Sequence, residues 1–319
     1  MRFYLKGYYG YKNLWDEFLL LGLLSWLSGI SAQEGSIEHI VIETKDKERL
    51  TRRLSQNKQY FTVPLEIITA VGRRNIYKKD PNYIKLFGGG EVISDARPFP
   101  YNGWNYLMNF ADTIFRNRFW ILGGVWTERK LGTKWLYTQI LWRAERVVVR
   151  EKSSFDVATK YTRRAQLYQD FCLNLLEQVL PRNAKKSLPT NTSSSKIATS
   201  KTTQNILINV NTYIRNSTTK EKIKDLTKQF PWATFWFMPA EIWSDDSLFQ
   251  QIQEIIPTIK LYDRTQYSVE ETCAFIKTID YWLAARLHVL LLLDYFGVPF
   301  TALVYQEKIV KMLAEAALQ

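Results

Sequence analysis

The chain has 319 residues, of which 46% are apolar and 14% aromatic, so it can form more than one packed core. Its 43 basic residues exceed its 31 acidic ones, and the formal net charge of +12 favours polyanions, anionic membranes or phosphorylated small molecules. Two distant cysteines and two histidines exclude a zinc site of the usual ligand spacing and indicate a reducing compartment.

Neither of the two most apolar runs predicts a membrane span. Residues 18–27 are about half as long as a bilayer requires, and they follow two acidic residues. Residues 283–304 are interrupted by charged residues, histidine and proline. The N-terminal residues 2–9 are polar and strand-like, unlike the apolar core of an export signal. We therefore expect a cytoplasmic protein.

The first half of the chain repeats one pattern, a short apolar run followed by glycine or a polar turn. The runs are residues 3–6, 83–87, 119–122 and 147–149. The stretches between them are long enough for crossover helices, so the pattern predicts a parallel sheet wound with helices. In such sheets ligands bind beyond the carboxyl ends of the strands, where glycine permits a close backbone approach.

The first helix carries its own start and stop signals. Asn13 is a suitable N-cap, Asp16 and Glu17 complement the helix dipole in the first turn, and Gly29 is the predicted end. Two further helices are predicted at residues 155–168 and 171–180.

A change of composition then divides the chain. Residues 181–204 are rich in Ser, Thr, Lys and Asn and predict an exposed linker. A nucleic-acid-binding tail is disfavoured because no aromatic residues separate the lysines. The following strands are predicted at residues 206–210, 234–237, 259–262, 279–284 and 300–304. The helices are predicted at residues 246–256, 269–278, 287–296 and 307–318. This order predicts an α/β fold with two doubly wound Rossmann-like domains, residues 1–180 and 205–319, facing across a cleft.

Arg286 and His288 lie where a predicted strand meets a predicted helix. A guanidinium can bind a carboxylate or phosphate through two hydrogen bonds, and an imidazole can exchange a proton near neutral pH. The first turn of the helix offers free N–H groups to the same anion. The alternative is a solvated arginine at a helix start with a packed histidine nearby, and spacing alone leaves both interpretations open.

The glycine-rich segment of residues 7–17 is the second candidate. Gly10, Asn13 and the helix N–H groups can hold an anion or a sugar, and Asp16 or Glu17 can accept hydrogen bonds from hydroxyls or act as a base. The simpler interpretation is a capped helix whose acidic residues serve only the dipole. The spacing matches neither the dinucleotide-binding fingerprint nor the P-loop. Two further strand ends carry Gly89 and Arg150.

Taken in order, these segments resemble the polysaccharide pyruvyl transferase family. The resemblance is carried by GYYGYKNLWDE at residues 7–17, GGG at 88–90, VREKSS at 149–154, ARLH at 285–288 and GVP at 297–299. It implies a two-domain fold similar to GT-B glycosyltransferases. It also implies transfer of the enolpyruvyl unit of phosphoenolpyruvate to a sugar, which forms a pyruvate ketal and releases phosphate.

The resemblance further implies roles for individual residues. The Arg-Leu-His element of the family holds phosphoenolpyruvate, which implies this role for Arg286, Leu287 and His288, with Arg150 as a second anion ligand. The C-terminal domain is then the phosphoenolpyruvate side. The N-terminal domain is the acceptor side, and its implied sugar-binding residues are Gly10, Asn13, Asp16 and Gly89. Residue chemistry makes His288 the acid and Asp16 or Glu17 the group that positions or deprotonates the acceptor, without a cofactor or metal.

One residue departs from the family pattern in the first loop. Trp15 stands where the family has a small glycine before Asp16, and we expect it to reshape the acceptor pocket.

The expected partners are phosphoenolpyruvate, a sugar or lipid-linked glycan acceptor and an anionic membrane at the inner face of the cell membrane, but no nucleic acid. The alternatives are a nucleotide-sugar-dependent glycosyltransferase of the same fold and a non-catalytic relative that binds a glycan or partner.

Overall fold

The computed structural model describes residues 1–7, 9–10, 13–69, 80–94, 118–126, 131–179, 204–210, 217–239, 242–285 and 287–303. The chain divides into two compact units. One comprises Met1–Tyr11 and Asp16–Gln178, and the other comprises Lys12–Trp15 and Val179–Gln319. Each unit contains one β-sheet, so the two sheets can be described in turn.

The first unit is built on a seven-stranded sheet whose strand pairs are all parallel. Its strands are β1 (Arg2–Lys6), β2 (His39–Thr44), β3 (Leu65–Thr69), β4 (Tyr83–Ser94), β5 (Phe119–Trp126), β6 (Arg146–Val149) and β7 (Ala165–Leu167). Their spatial order is β3-β2-β1-β4-β5-β6-β7. The winding direction reverses between β1 and β4, and such a switch point is where doubly wound sheets bind ligands.

Five described helices accompany this sheet. They are α1 (Leu14–Glu34), α2 (Lys47–Gln56), α3 (Leu131–Arg143), α4 (Lys152–Thr159) and α5 (Phe171–Val179). One core joins the inner faces of α3 and α4 to the sheet, with Ile140 and Ala158 packed among Phe119, Ile121 and Val147. Burial of these apolar side chains is the main stabilising contribution of the layer.

The second unit has a five-stranded sheet, also parallel throughout. Its strands are β8 (Asn205–Asn209), β9 (Thr234–Phe237), β10 (Lys260–Leu261), β11 (Tyr281–Ala284) and β12 (Phe300–Ala302). Its described helices are α6 (Ser217–Gln229), α7 (Ile242–Gln253), α8 (Val269–Lys277) and α9 (Leu287–Phe296). The order β10-β9-β8-β11-β12 places the switch point between β8 and β11. The predicted α/β class with doubly wound parallel sheets is confirmed.

The glycine-based predictions are wrong in two ways. Helix α1 does not end at Gly29 but continues to Glu34, and Gly35, with φ of +115°, follows it. A glycine inside a helix costs only about 1 kcal/mol, and the buried residues around it offset that cost. Strands β4 and β5 run through Gly88–Gly90 and Gly123 instead of turning there, since the parallel pairing of β4 with β5 continues past these glycines.

The remaining boundaries differ more modestly. The predicted helix at residues 155–168 ends at Thr159, and the chain then forms the edge strand β7 by pairing with β6. Helix α7 begins at Ile242, four residues before the predicted start. The predicted helix at residues 307–318 and all but the last residue of the predicted linker lie outside the described residues. None of the described helices combines the length and apolar character needed to span a bilayer.

Lys85 is a buried lysine in the first sheet. It lies on β4 with 2% of its surface exposed, and its Nζ donates to the carbonyl oxygen of Asp80 at 3.2 Å. The same Nζ lies 5.1 Å from the centre of the Tyr4 ring. Burial, only partly offset by the charge of Asp80, lowers the pKa of Lys85 to about 8.

We expect Lys85→Met to stabilise the protein near neutral pH. The unfolded chain binds more protons than the native protein between the lowered pKa of about 8 and the ordinary value of 10.5, so stability rises with pH across this window. Below it the full penalty of charging Lys85 remains. The substitution should add about 1–3 kcal/mol to the free energy of unfolding near pH 7 and flatten its rise toward pH 10. Urea unfolding tests this, with the exposed Lys222→Met as control; an unchanged pH dependence would contradict the assignment.

Candidate functional site

The segment after β1 packs tightly against the ends of its neighbouring strands. A Cβ on Gly7 would lie 2.4 Å from the carbonyl oxygen of Gly88, so this position admits only glycine. Gly10 has φ of +82°, and a Cβ there would lie 2.2 Å from Oγ1 of Thr44. That hydroxyl donates to the carbonyl oxygen of Tyr9 at 2.9 Å. The two glycines therefore fix the chain over the switch point of the first sheet.

Tyr9 fills the space that these glycines leave. It is 1% exposed, and its hydroxyl oxygen would lie 2.9 Å from a Cβ placed on Gly88. Among the described residues this hydroxyl has no hydrogen-bond partner. Burial raises the pKa of Tyr9, and the negative charge of Asp16 raises it further, so the phenol stays protonated. Sequence reasoning missed Tyr9, although the flanking glycines Gly7 and Gly10 are the signal of a ring held against backbone.

Helix α1 begins as the sequence predicts. The side-chain oxygen of Asn13 accepts a hydrogen bond from the backbone N–H of Trp15 at 3.0 Å, which makes Asn13 the N-cap. Asp16 follows in the first turn and is half-buried, near the positive end of the helix dipole. Trp15 is buried, so its large ring is part of the packed interior.

Glu17 has a different environment from Asp16. Its two carboxylate oxygens accept hydrogen bonds from Nη2 of Arg49 at 2.9 Å and Nε of Arg53 at 3.0 Å, and all three side chains are buried. Both arginines belong to α2, whose N-cap Asp46 accepts from the backbone N–H of Arg49. Glu17 thus ties α1 to α2, and its charge is balanced by two cations.

Arg150 lies at the carboxyl end of β6, where a small pocket opens. Its Nε donates to Glu151 at 2.8 Å and its Nη1 to Asp170 at 2.9 Å. Burial alone would lower the pKa of Arg150, but the charges of Asp170 and Glu151 raise it above its usual value. The pocket is lined by Leu19, Leu122, Gly123, Val148, Val149, Arg150, Gln169 and Phe171. Arg150 stays charged at this edge, and its predicted role as an anion ligand remains a prediction.

Asn209 marks the switch point of the second sheet. It is the last residue of β8, it pairs in register with Ala284 of β11, and its carbonyl oxygen accepts from the backbone N–H of Ala285. Its side chain is fully buried, with Nδ2 donating to the carbonyl oxygen of Met238 at 2.7 Å. Its Oδ1 has no hydrogen-bond partner among the described residues. A buried acceptor of this kind is costly unless a donor reaches it.

Side-chain alternation shows which face of the sheet Asn209 occupies. Ile208 and Val210, its neighbours in the chain, pack in the core with Ile223 of α6 and Leu248 of α7. Asn209 therefore points to the opposite face. Right-handed crossovers place α8 and α9 on that face. Sequence reasoning missed Asn209, since an asparagine that ends an apolar strand is also a common turn signal.

The Arg-Leu-His segment follows β11. Arg286 lies outside the described residues, and of Leu287 and His288 the structure describes the backbone. These two residues form the first two positions of α9, and the helix predicted at residues 287–296 is confirmed. The segment therefore follows the carboxyl end of the strand that borders the switch point, where the first N–H groups of α9 have no partners within the helix.

The predicted residues fall into separate parts of the chain. Gly10, Asn13 and Asp16 follow one another in the chain between β1 and the first turn of α1, and Gly89 lies within β4 rather than in a turn. Arg264, which the sequence did not single out, is fully buried and donates from Nε to the carbonyl oxygen of Pro239, after β9. No group of three or more potential metal ligands occurs among the described His, Cys, Asp and Glu side chains.

Two doubly wound parallel sheets define a GT-B-like fold, and solved structures share it. A putative UDP-N-acetylglucosamine 2-epimerase from Listeria monocytogenes has a TM-score of 0.61 at 9% identity, covering 95% of this chain and 79% of its own. The UDP-GlcNAc 2-epimerase from Neisseria meningitidis, solved with UDP-GlcNAc, has a TM-score of 0.60 at 9% identity, with coverages of 98% and 84%. Anabaena HepE, solved with UDP-glucose, has a TM-score of 0.51 at 12% identity, with coverages of 95% and 80%.

The sequence comparison identifies the family. The sequence model of the polysaccharide pyruvyl transferases matches residues 13–307, nearly the whole chain. The chain therefore belongs to the polysaccharide pyruvyl transferase family, and the resemblance predicted from its motifs is confirmed. No curated protein sequence matches the chain significantly.

Proposed function

We propose that this protein transfers the pyruvyl unit of phosphoenolpyruvate to a sugar of a polysaccharide or lipid-linked glycan precursor, forming a pyruvate ketal and releasing phosphate. The observation that carries the proposal is that Arg-Leu-His at residues 286–288 follows β11 and begins α9 beside a sheet switch point, in a chain that the family model matches over residues 13–307. Such junctions are where open parallel sheets bind ligands, and the helix start favours anions.

The donor binds, in this proposal, to residues 286–288. Phosphoenolpyruvate carries a carboxylate and a phosphate. The guanidinium of Arg286 matches either group through two parallel hydrogen bonds. The N–H groups and dipole of α9 stabilise the remaining negative charge. Arg150 is the proposed second cation. Its guanidinium would bind the donor while it keeps its ion pairs with Glu151 and Asp170.

The reaction follows from the chemistry of the donor. His288, as imidazolium, donates a proton to the methylene carbon of phosphoenolpyruvate, which leaves an oxocarbenium-like centre at the adjacent carbon. A sugar hydroxyl forms a C–O bond to that centre while Asp16 accepts its proton. A second hydroxyl then forms the other ketal bond as the C–O bond to phosphate breaks. Its proton returns to His288, and the proton on Asp16 passes to the departing phosphate, which leaves as hydrogen phosphate. Asp16 is the proposed base, since the carboxylate of Glu17 is held by two arginines.

We propose that Asn209 positions the donor-binding segment through its Oδ1. Replacing Asn209 with leucine removes this acceptor at similar volume, and we expect KM for phosphoenolpyruvate to rise about tenfold. Asn209→Asp should also raise KM, because it loses the N–H that donates to the carbonyl oxygen of Met238 and, when ionised, repels the donor. Steady-state kinetics with melting temperatures as folding control test this. A purely structural role predicts lowered melting temperatures and an unchanged KM in the folded fraction.

The acceptor side is assigned to the first unit. Gly10 and Asp16 belong to this unit, Asn13 precedes the first turn of α1, and Gly89 lies within β4; we propose that these four residues line the sugar site and that Trp15 reshapes it. The net charge of +12 favours contact with an anionic membrane where lipid-linked acceptors occur. We accordingly propose a cytoplasmic protein that works at the inner face of the cell membrane.

A sugar-nucleotide-dependent reaction is the alternative, since two structural neighbours were solved with UDP-GlcNAc or UDP-glucose. One release assay separates the two functions. The purified protein is given phosphoenolpyruvate or UDP-sugars together with oligosaccharide acceptors. Acceptor-dependent release of inorganic phosphate from phosphoenolpyruvate supports pyruvyl transfer. Release of UDP alone supports the alternative, and release of neither supports a non-catalytic binding protein.

A further inference from the structure

Arg264 is a fully buried arginine of the second unit, shortly after β10. It begins a short 3-10 turn, Arg264–Gln266, whose N-cap Asp263 accepts hydrogen bonds from the backbone N–H and the hydroxyl of Thr265 at 3.1 and 2.7 Å. From this fixed turn the side chain extends toward β9, where its Nε donates to the carbonyl oxygen of Pro239 at 3.1 Å. Burial of a guanidinium is costly, so a specific interaction has to offset that cost.

The segment that follows β9 is held by two buried side chains. The carbonyl oxygen of Met238 accepts a hydrogen bond from Nδ2 of Asn209 at 2.7 Å, and that of Pro239, the next residue, accepts from Arg264. The backbone N–H of Met238 donates to the carbonyl oxygen of Ile208 at 3.2 Å. The two carbonyl groups beyond the end of β9 therefore keep fixed directions, each with the donor that a buried carbonyl requires.

This segment lies at the same edge of the sheet as the proposed donor site. Strand β9 is next to β8, and β8 is next to β11. Neighbouring strands are about 4.8 Å apart, so the ends of β9 and β11 are separated by about 10 Å. Asn209 spans this distance: its side chain bonds to Met238, and its backbone carbonyl oxygen accepts from the N–H of Ala285 at 2.9 Å, directly before residues 286–288.

We propose that Arg264 is a positioning residue for the binding of phosphoenolpyruvate. By holding the carbonyl oxygen of Pro239, it fixes the adjoining peptide group and with it the carbonyl oxygen of Met238. That oxygen orients the amide of Asn209, so that Oδ1 is directed toward the donor-binding segment. This assignment rests on the proposed function, because it gives Arg264 a part in the binding of the same donor.

Phosphate release at varied phosphoenolpyruvate concentration, with a water-soluble acceptor, tests this role. Arg264→Met removes the hydrogen bond to Pro239 and should raise KM for phosphoenolpyruvate about tenfold, with kcat and KM for the acceptor within about twofold of the parent. Arg264→Lys keeps a charged donor and should restore part of the affinity. Pro239→Ala leaves Arg264 in place but releases the backbone restraint of proline, and should raise KM about two- to fivefold.

The matched control is Asn205→Ala. The side-chain N–H of Asn205 also donates to a backbone carbonyl oxygen, that of Thr278 at 3.2 Å, but it does so at the amino end of β8, away from the donor site. Its loss should lower the melting temperature and leave KM for phosphoenolpyruvate unchanged. If Arg264→Met does not fold, Arg264→Lys and Pro239→Ala carry the test, since both keep the buried positive charge.

Melting temperatures measured with and without phosphoenolpyruvate separate this proposal from the proposed function. The donor should raise the melting temperature of the parent, and the rise should be smaller in Arg264→Met and Pro239→Ala. If the parent shows neither this rise nor phosphate release, the proposed function fails and the role of Arg264 fails with it. If the parent responds, but Arg264→Lys and Pro239→Ala bind the donor as tightly as the parent does, only the positioning role is overturned.

Discussion

Replacing Arg286 with alanine is expected to reduce phosphate release from phosphoenolpyruvate about a hundredfold to a thousandfold. The guanidinium is the proposed ligand of an anionic group whose charge must be stabilised throughout the reaction, and removal of one such preorganised donor has effects of this size. His288→Gln should lower kcat by a similar factor while phosphoenolpyruvate still binds, because the amide cannot donate a proton to the methylene carbon. Phosphate release and calorimetric binding of phosphoenolpyruvate measure the two effects separately.

Two variants serve as controls for this result. Arg286→Lys keeps the positive charge but cannot make the bidentate pair of hydrogen bonds, so we expect intermediate activity. Arg52→Ala removes an exposed arginine of α2. It lowers the net charge by the same amount as Arg286→Ala and should leave activity unchanged. Donor binding that survives Arg286→Ala at full strength would mean that another part of the chain holds phosphoenolpyruvate.

The adjacent acidic residues Asp16 and Glu17 are expected to respond in opposite ways to loss of charge. Glu17→Gln leaves two buried arginines of α2 without a balancing anion and should lower the free energy of unfolding by about 3–5 kcal/mol. Asp16→Asn should change stability little, since Asp16 is only half-buried, but should lower kcat about a hundredfold or more as the proposed base. Urea unfolding and phosphate release of the same preparations measure both quantities.

A triple variant tests the origin of the Glu17 effect. Adding Arg49→Met and Arg53→Met to Glu17→Gln removes the uncompensated cations and should restore much of the lost stability. If Glu17→Gln is as stable as the parent, the ion pairs do not hold α1 against α2. If Asp16→Asn remains fully active, the acceptor is deprotonated by another group.

The sequence predicts the order of strands and helices well where apolar runs are bounded by clear signals. The β11–α9 junction is an example, since the strand ends and the helix begins where the apolar pattern changes around Arg286. The N-cap at Asn13 is another, because capping is a local interaction between a side chain and the backbone two residues on. These features depend on neighbours in the chain, so a sequence is sufficient to find them.

Features that depend on contacts between residues far apart in the sequence could not be predicted from local sequence patterns. Gly88 looks like a turn, but the parallel pairing of β4 with β5 continues past it. Asp16 and Glu17 look equivalent as adjacent acids, until Arg49 and Arg53, more than thirty residues away, engage one of them. The buried acceptor of Asn209 is visible only once β8 and β11 are neighbours. In each case a contact between distant segments determines the structure, and the local sequence contains no signal for that contact.

Mass spectrometry of the acceptor tests the central claim most directly. The protein is incubated with isotope-labelled phosphoenolpyruvate, UDP-sugars and a panel of glycan precursors, and the products are analysed before and after mild acid. Pyruvyl transfer predicts that the label enters the glycan as an acid-labile ketal, with one phosphate released for each ketal formed. Label recovered only as free pyruvate or unreacted donor, together with sugar added from a sugar nucleotide, would contradict the assignment.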